Sequence, residues 1–95
     1  MGMLVGTIYK ITDATAWRNA LHEAEQSGAL VPEGLSLLVS VHSGTGDYAF
    51  DLWEGSSVEA VREQLDPMTD GLASNMYFPV DLTHPATTLR SDADA

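Results

Sequence analysis

The residues best suited to catalysis in this sequence are a histidine and an aspartate on two segments in which polar and apolar residues alternate. Both segments lie within residues 35–53; His42 ends the first and Asp51 lies in the second. When the segments pair as a hairpin, Asp51 lies opposite Ser40 and diagonally beside His42. A carboxylate beside an imidazole fixes the tautomer of the ring and raises its basicity. We therefore predict His42 as a general base and Asp51 as the residue that orients it.

Other side chains of the same predicted sheet would complete a site for a small organic molecule. An indole and a leucine side chain would form apolar walls, and a tyrosine hydroxyl would stabilise an enolate or phenolate oxygen. In the alternative interpretation, His42 is a solvent-facing residue at a strand end and Asp51 bonds Ser40 at a contact between subunits. The predicted ligand-binding residues are Tyr9, Leu38, Ser40, Trp53 and Tyr77.

The sequence does not indicate a metal site, a phosphate site or a cofactor. The histidines His22, His42 and His84 lack the close spacing of transition-metal ligands, and the chain has no cysteine. The glycines of Gly44-Thr45-Gly46 precede neither a lysine nor a helix, so this segment is predicted as a hairpin turn. We predict no cofactor and no metal. The alternative is a metal held across a dimer by His42, His84 and carboxylates.

The elements that must position the predicted site alternate between strand and helix. A capping box from Ser56 to Glu59 marks the start of the second helix. Pro79 predicts that the last strand lies at a sheet edge or at a subunit boundary, and not in the middle of a sheet. In chain order we expect a strand over 4–11, a helix begun at Thr12 or Asp13 and ended at Gly28, strands over 35–42 and 48–53, a helix over 56–68 and a strand over 76–82.

The order βαββαβ predicts an α+β, ferredoxin-like domain over 1–82, with a four-stranded antiparallel sheet and two helices on one face. Residues 83–95 are predicted to form a flexible acidic tail. The site residues would lie on the uncovered face, and two copies packed through that face would form a dimeric α/β barrel. The hairpin side chains expected behind the helices are Leu35, Leu37, Val39, Val41, Phe50 and Leu52.

The chain is short and strongly acidic. Its 95 residues carry a formal charge of −10, from 14 acidic and 4 basic side chains. Binding to nucleic acid or to an anionic membrane needs clustered lysine and arginine, so we expect neither partner. The chain has no signal-peptide pattern and no apolar run long enough to span a membrane. These features predict a cytoplasmic homodimer whose other partner is a small organic molecule.

Three segments carry a resemblance to a known group of proteins: LWEGSSVEAVR at 52–62, Asp66-Pro67 and NMYF at 75–78. They are similar to small ferredoxin-like proteins that form dimeric α/β barrels, and in particular to a group related to a nickel-binding family. The wider superfamily includes monooxygenases, isomerases, cyclases and ligand-sensing domains. The nickel-binding relatives need histidines in the second helix, where residues 58–68 have none.

Together, the residues and the resemblance predict a protein that binds a small aromatic or polyketide-like compound. Turnover would make it a cofactor-free cyclase, isomerase or monooxygenase. Two alternatives stay open: a non-catalytic dimeric binding or interaction module, and a protein that binds a divalent metal such as nickel.

Overall fold

The chain alternates strand and helix in the predicted order βαββαβ. The computed structural model describes residues 2–81, so His84 and the tail predicted at 83–95 lie outside the described residues. Within 2–81, no helix is long and apolar enough to cross a membrane. The elements are β1 (Met3–Ile11), α1 (Ala14–Ser27), β2 (Ser36–His42), β3 (Tyr48–Gly55), α2 (Val58–Thr69) and β4 (Ala73–Pro79).

The four strands form one antiparallel sheet in the spatial order β2-β3-β1-β4. Both helices pack on the same face, because Trp17 of α1 and Val61 of α2 contact the same apolar cluster. This confirms the predicted ferredoxin-like fold. The strand β4, which ends at Pro79, lies at an edge and pairs only with β1, as the proline predicts.

The helix ends follow local capping chemistry, with one correction. Asp13 caps α1 by accepting a hydrogen bond from the Ala16 amide at 3.0 Å. The N-cap of α2 is Ser57, which bonds the Ala60 amide at 3.0 Å, so the box predicted to begin at Ser56 is wrong. The acid expected in that box does not reach back, because it pairs with an arginine of the next turn at 2.8 Å.

The hairpin register is as predicted near its turn and changes further from it. Ser40 pairs with Asp51, as expected, but Trp53 pairs with Leu37 and not with Leu38. The ladder shifts between Leu37 and Val39, so Leu38 is an extra residue in β2, a β-bulge.

This bulge reverses which side chains of the hairpin face the helices, since a one-residue shift moves side chains to the opposite face. Leu35 and Leu37, before the bulge, pack against the core under the helices as predicted. The other four predicted core residues lie on the face away from the helices, and that prediction is wrong. They are Val39, Val41, Phe50 and Leu52, which pair with one another across β2 and β3.

The core lies between α2 and the two central strands. No residue of α1 is buried, whereas α2 buries Val61, Leu65 and Thr69. The buried apolar residues are Val5, Tyr9, Ala49, Trp53, Val61 and Leu65.

We call the uncovered side of the sheet the open face. It is largely apolar: Val39 is 43% exposed, Val41 51% and Met76 62%. The ring of Phe78 lies over Gly6 of the neighbouring strand, where an added Cβ would come within 2.7 Å of the ring. Glycine at this position therefore lets the aromatic ring lie flat on the sheet. By strand alternation the remaining residues of this face are Leu4, Ile8, Lys10, Tyr48, Phe50, Leu52, Glu54 and Ser74.

Candidate functional site

A cavity of about 80 Å³ lies between the two helices and the sheet, and we call it the helix–sheet cavity. It forms where the apolar stripe of α1 faces the buried ends of β1 and β3. Most of its wall is aliphatic or aromatic. The lining residues are Tyr9, Trp17, Ala20, Leu21, Ala24, Leu30, Asp51, Trp53, Leu65, Met68, Thr69 and Leu72.

Three polar groups meet at the sheet side of this cavity. The Tyr9 hydroxyl donates a hydrogen bond of 2.8 Å to Oδ2 of Asp51, and Nε1 of Trp53 donates one of 3.3 Å to the Tyr9 oxygen. Tyr9 and Trp53 are buried, whereas Asp51 is half-buried. Burial raises the pKa of the Tyr9 hydroxyl above its ordinary value, and the negative charge of Asp51 raises it further. Tyr9 therefore stays protonated and fixes one oxygen of the carboxylate.

Trp17 forms the α1 side of the cavity. Its ring centroid lies 5.0 Å from that of Tyr9, with the ring planes inclined at 53°. The indole Nε1 donates a weak hydrogen bond of 3.5 Å to Nε2 of His42, which is exposed. His42 lies outside the cavity and lines a separate groove of about 360 Å³ with Arg18 and the hairpin turn.

A second tyrosine–aspartate pair joins β4 to α2. The Tyr77 hydroxyl donates a hydrogen bond of 2.6 Å to Asp66, and the side-chain amide of Asn75 donates to the Tyr77 oxygen at 2.9 Å and to Thr69 at 2.6 Å. The Arg62 guanidinium lies 5.2 Å from the centre of the Tyr77 ring. Burial raises the pKa of the Tyr77 hydroxyl, and the bond to Asp66 raises it further. Neither member of this pair lines the helix–sheet cavity, so the predicted ligand-binding role of Tyr77 stays a prediction.

The structure brings three of the seven predicted site residues together: Tyr9, Asp51 and Trp53. They lie under the helices and not on the open face, so the predicted placement on the barrel side of the sheet is wrong. Asp51 and Trp53 pair with Thr7 and Val5 of β1, which are buried under the helices, and this pairing places them on the covered face.

The other predicted residues lie apart from this group. Leu38 is the exposed bulge residue, and Ser40, opposite Asp51, is also exposed. Among the described residues no hydrogen bond joins His42 to Asp51, because His42 bonds Trp17 and Asp51 bonds Tyr9. Their proposed roles in binding or catalysis stay predictions.

Sequence reasoning missed the helix residues that line the cavity. The seven predicted site residues all lie in strands, whereas the apolar stripe of α1, which begins at Trp17, lines the cavity. Met68 of α2 also lines the cavity and is 40% exposed. The available signal was that the apolar residues of α1 are mostly alanine, too small to fill the space above a sheet.

Within residues 2–81, no group of three or more histidine, aspartate or glutamate side chains is placed to hold a metal ion. Comparisons with models of protein families, with curated proteins and with solved structures found no match for this chain.

Proposed function

We propose that the protein binds a small, largely apolar organic molecule in the helix–sheet cavity. One observation carries the proposal: the carboxylate of Asp51 lies at the wall of a cavity lined mainly by apolar and aromatic side chains. A small number of fixed polar groups in an apolar recess is typical of ligand sites, where the polar groups orient the ligand.

The size of the cavity implies that a ligand is fully enclosed only when α1 moves. Its volume of about 80 Å³ is below the roughly 150 Å³ that holds benzene in an engineered protein cavity. A single-ring ligand therefore needs more room. Because α1 contributes no buried residue, moving it exposes less apolar surface than moving α2.

We further propose that Asp51 accepts a proton from the bound molecule. Aldol-type cyclisations and proton-shift isomerisations begin when a base removes a proton, and neither needs a redox partner. The proton would pass from a carbon or hydroxyl of the ligand to the free oxygen of Asp51 and return at another position. Tyr9 would hold the other oxygen in place. His42 would position Trp17 at the cavity wall instead of acting as the base.

A fragment screen read by the two indole N–H signals tests the binding proposal. The chain has two tryptophans, Trp17 and Trp53, and both line the cavity. Single-ring compounds that bind there should shift both indole signals in 1H–15N NMR spectra and leave the amide signals of Val41 and Met76 unchanged. Hits that shift only those open-face amides would place the ligand on the wrong side of the sheet and overturn the proposal.

The base role is tested on fragment hits that carry a proton next to a carbonyl group. Incubated in deuterium oxide, they should exchange that proton faster with the wild-type protein than in buffer. D51N should lose the acceleration, since an amide is not a base at neutral pH. D66N is the matched control, because Asp66 also accepts a hydrogen bond from a tyrosine but lies outside the cavity.

We also propose that the open face packs against the open face of a second copy. Its exposed valines and methionine would otherwise remain in contact with water. Strand alternation places one basic and one acidic residue on it, Lys10 and Glu54, so two such faces meet without net repulsion although each chain carries −10. In this dimer the ligand sites lie on the outer, helix-covered sides of the paired sheets.

A further inference from the structure

Asp51 is the polar group of the helix–sheet cavity that has capacity for another hydrogen bond. Its Oδ2 accepts from Tyr9 at 2.8 Å. The hydrogen bonds within residues 2–81 leave its Oδ1 without a donor. An ionised carboxylate is purely an acceptor, so this oxygen can only receive a hydrogen bond.

The side-chain donors around the cavity are already used. Tyr9 donates to Asp51, and Trp53 donates to Tyr9. Trp17 donates to a histidine nitrogen at 3.5 Å, and Thr69 donates to a backbone carbonyl of its own helix at 3.0 Å. A ligand that needs a donor would have to break one of these bonds, and for Tyr9, Trp53 or Thr69 this would leave a buried or half-buried partner unpaired.

The charge around the cavity disfavours anionic ligands. Of the described residues that line it, Asp51 is the one charged side chain, and no lysine, arginine or histidine is among them. The chain as a whole carries −10. An anion placed there would lose its hydration, meet a carboxylate and find no cation to pair with.

We infer that the helix–sheet cavity selects ligands that donate a hydrogen bond from an apolar ring and rejects ligands that carry an anion. The inference rests on the proposed ligand site and names its substrate class: ring compounds with a hydroxyl, an N–H or an ammonium group directed at Oδ1 of Asp51. Aromatic carboxylates and phosphates fall outside this class.

The test titrates four single-ring probes of similar size, phenol, benzylammonium, toluene and benzoate, against the 15N-labelled protein. Dissociation constants come from the indole signals of Trp17 and Trp53. Phenol or benzylammonium should bind at least about tenfold more tightly than toluene, since one hydrogen bond to a charged group contributes that much. Benzoate should bind more weakly than toluene.

Two variants assign the selectivity to one carboxylate. D51N keeps the shape of Asp51 but removes its charge and adds an N–H donor, so benzoate should improve and phenol should lose its advantage over toluene. D66N, which removes the carboxylate of the second tyrosine–aspartate pair outside the cavity, should keep the wild-type order of affinities.

Each outcome separates the inference from the proposed function. A donor probe that binds best, whether neutral or cationic, supports the inference, and the better of phenol and benzylammonium tells whether the natural group is charged. Saturable binding of benzoate or toluene as tight as that of the better of phenol and benzylammonium overturns the inference and leaves the ligand site standing. If none of the four probes shifts either indole signal, both are overturned.

Discussion

The hydroxyl of Tyr9 in β1 donates a 2.8 Å hydrogen bond to Asp51 on the neighbouring strand β3. The two residues are diagonal neighbours on the same face, since Asp51 pairs with Thr7, two residues before Tyr9. The same hydroxyl accepts a hydrogen bond from the indole of Trp53. All three side chains line the helix–sheet cavity, and Tyr9 and Trp53 are buried. The Tyr9–Asp51 hydrogen bond therefore joins two strands of the sheet and fixes the position of the Asp51 carboxylate, the candidate proton acceptor.

The protonated state of Tyr9 makes stability depend on alkaline pH. Because the pKa of Tyr9 is raised in the folded protein, the folded state keeps a proton that the unfolded state releases above its ordinary pKa of about 10. This contribution is complete below that pH and is lost as the pH rises above it. We expect the free energy of unfolding to fall above pH 10, and Tyr9→Phe to make the fall shallower by about 1.4 kcal/mol per pH unit.

Urea denaturation at several pH values between 7 and 12 measures this difference. At pH 7 the same variant should lose about 1–3 kcal/mol, because the carboxylate loses its donor. Tyr48→Phe is the matched control, since Tyr48 lies exposed on the open face. The prediction would be contradicted if the free energy of unfolding fell equally steeply with pH above pH 10 in Tyr9→Phe and Tyr48→Phe.

Thr7 gives a second test of the buried polar groups. It is fully buried in β1, and its Oγ1 has no hydrogen-bond partner among the described residues. Thr7→Val replaces the hydroxyl by a methyl group of similar size. We expect it to raise the free energy of unfolding by about 1 kcal/mol, since the hydroxyl no longer loses its hydration without compensation.

Thr69→Val is the matched comparison. Thr69 donates to the Leu65 carbonyl and accepts from Asn75 at 2.6 Å. Its substitution should therefore lower the free energy of unfolding by about 1–2 kcal/mol. Thermal and urea denaturation of both variants would settle the point, and a destabilising Thr7→Val would mean that its hydroxyl has a partner.

The sequence was sufficient for the fold and for the register near the hairpin turn. Alternation, capping residues and glycine turns are local signals, and they predicted all six elements in order. The bounds were less accurate: the last strand, predicted over 76–82, is Ala73–Pro79, and the N-cap of α2 is Ser57 instead of Ser56. Pro79 likewise predicted the sheet edge, because a proline lacks the amide that a central strand needs.

The faces of the sheet depended on one residue that no local signal reveals. The segment around Leu38 reads as a regular strand, but one added residue there moves Val39 and Val41 away from the core. The error passed to the candidate site, because Asp51 and Trp53 were assigned to the open face by the same alternation. The group that lines the helix–sheet cavity, Tyr9 with those two residues, depends on pairing between distant strands.

The exposed valines of the open face predict which substitution separates the proposed dimer. Val41, on the open face, is 51% exposed, and Val31, in the loop after α1, is 40% exposed. Val41→Lys places a charge in the proposed interface and should convert the dimer to a monomer, whereas Val31→Lys should not. Light scattering coupled to gel filtration measures both. A wild-type monomer, or a dimer that persists in Val41→Lys, would contradict the proposed assembly.

His42→Ala distinguishes the structural assignment of the base from the one that the sequence predicted. In the structure His42 is exposed and holds Nε1 of Trp17 at 3.5 Å, outside the cavity. We expect His42→Ala to move the Trp17 indole signal and to change the free energy of unfolding by less than about 1 kcal/mol. It should keep the rate of proton exchange on fragment hits within about threefold of wild type, whereas D51N should abolish the accelerated exchange. His22→Ala, in the exposed histidine of α1, controls for the loss of an imidazole. If His42→Ala binds the fragments normally but loses exchange while D51N retains it, His42 is the base and Asp51 is only its neighbour.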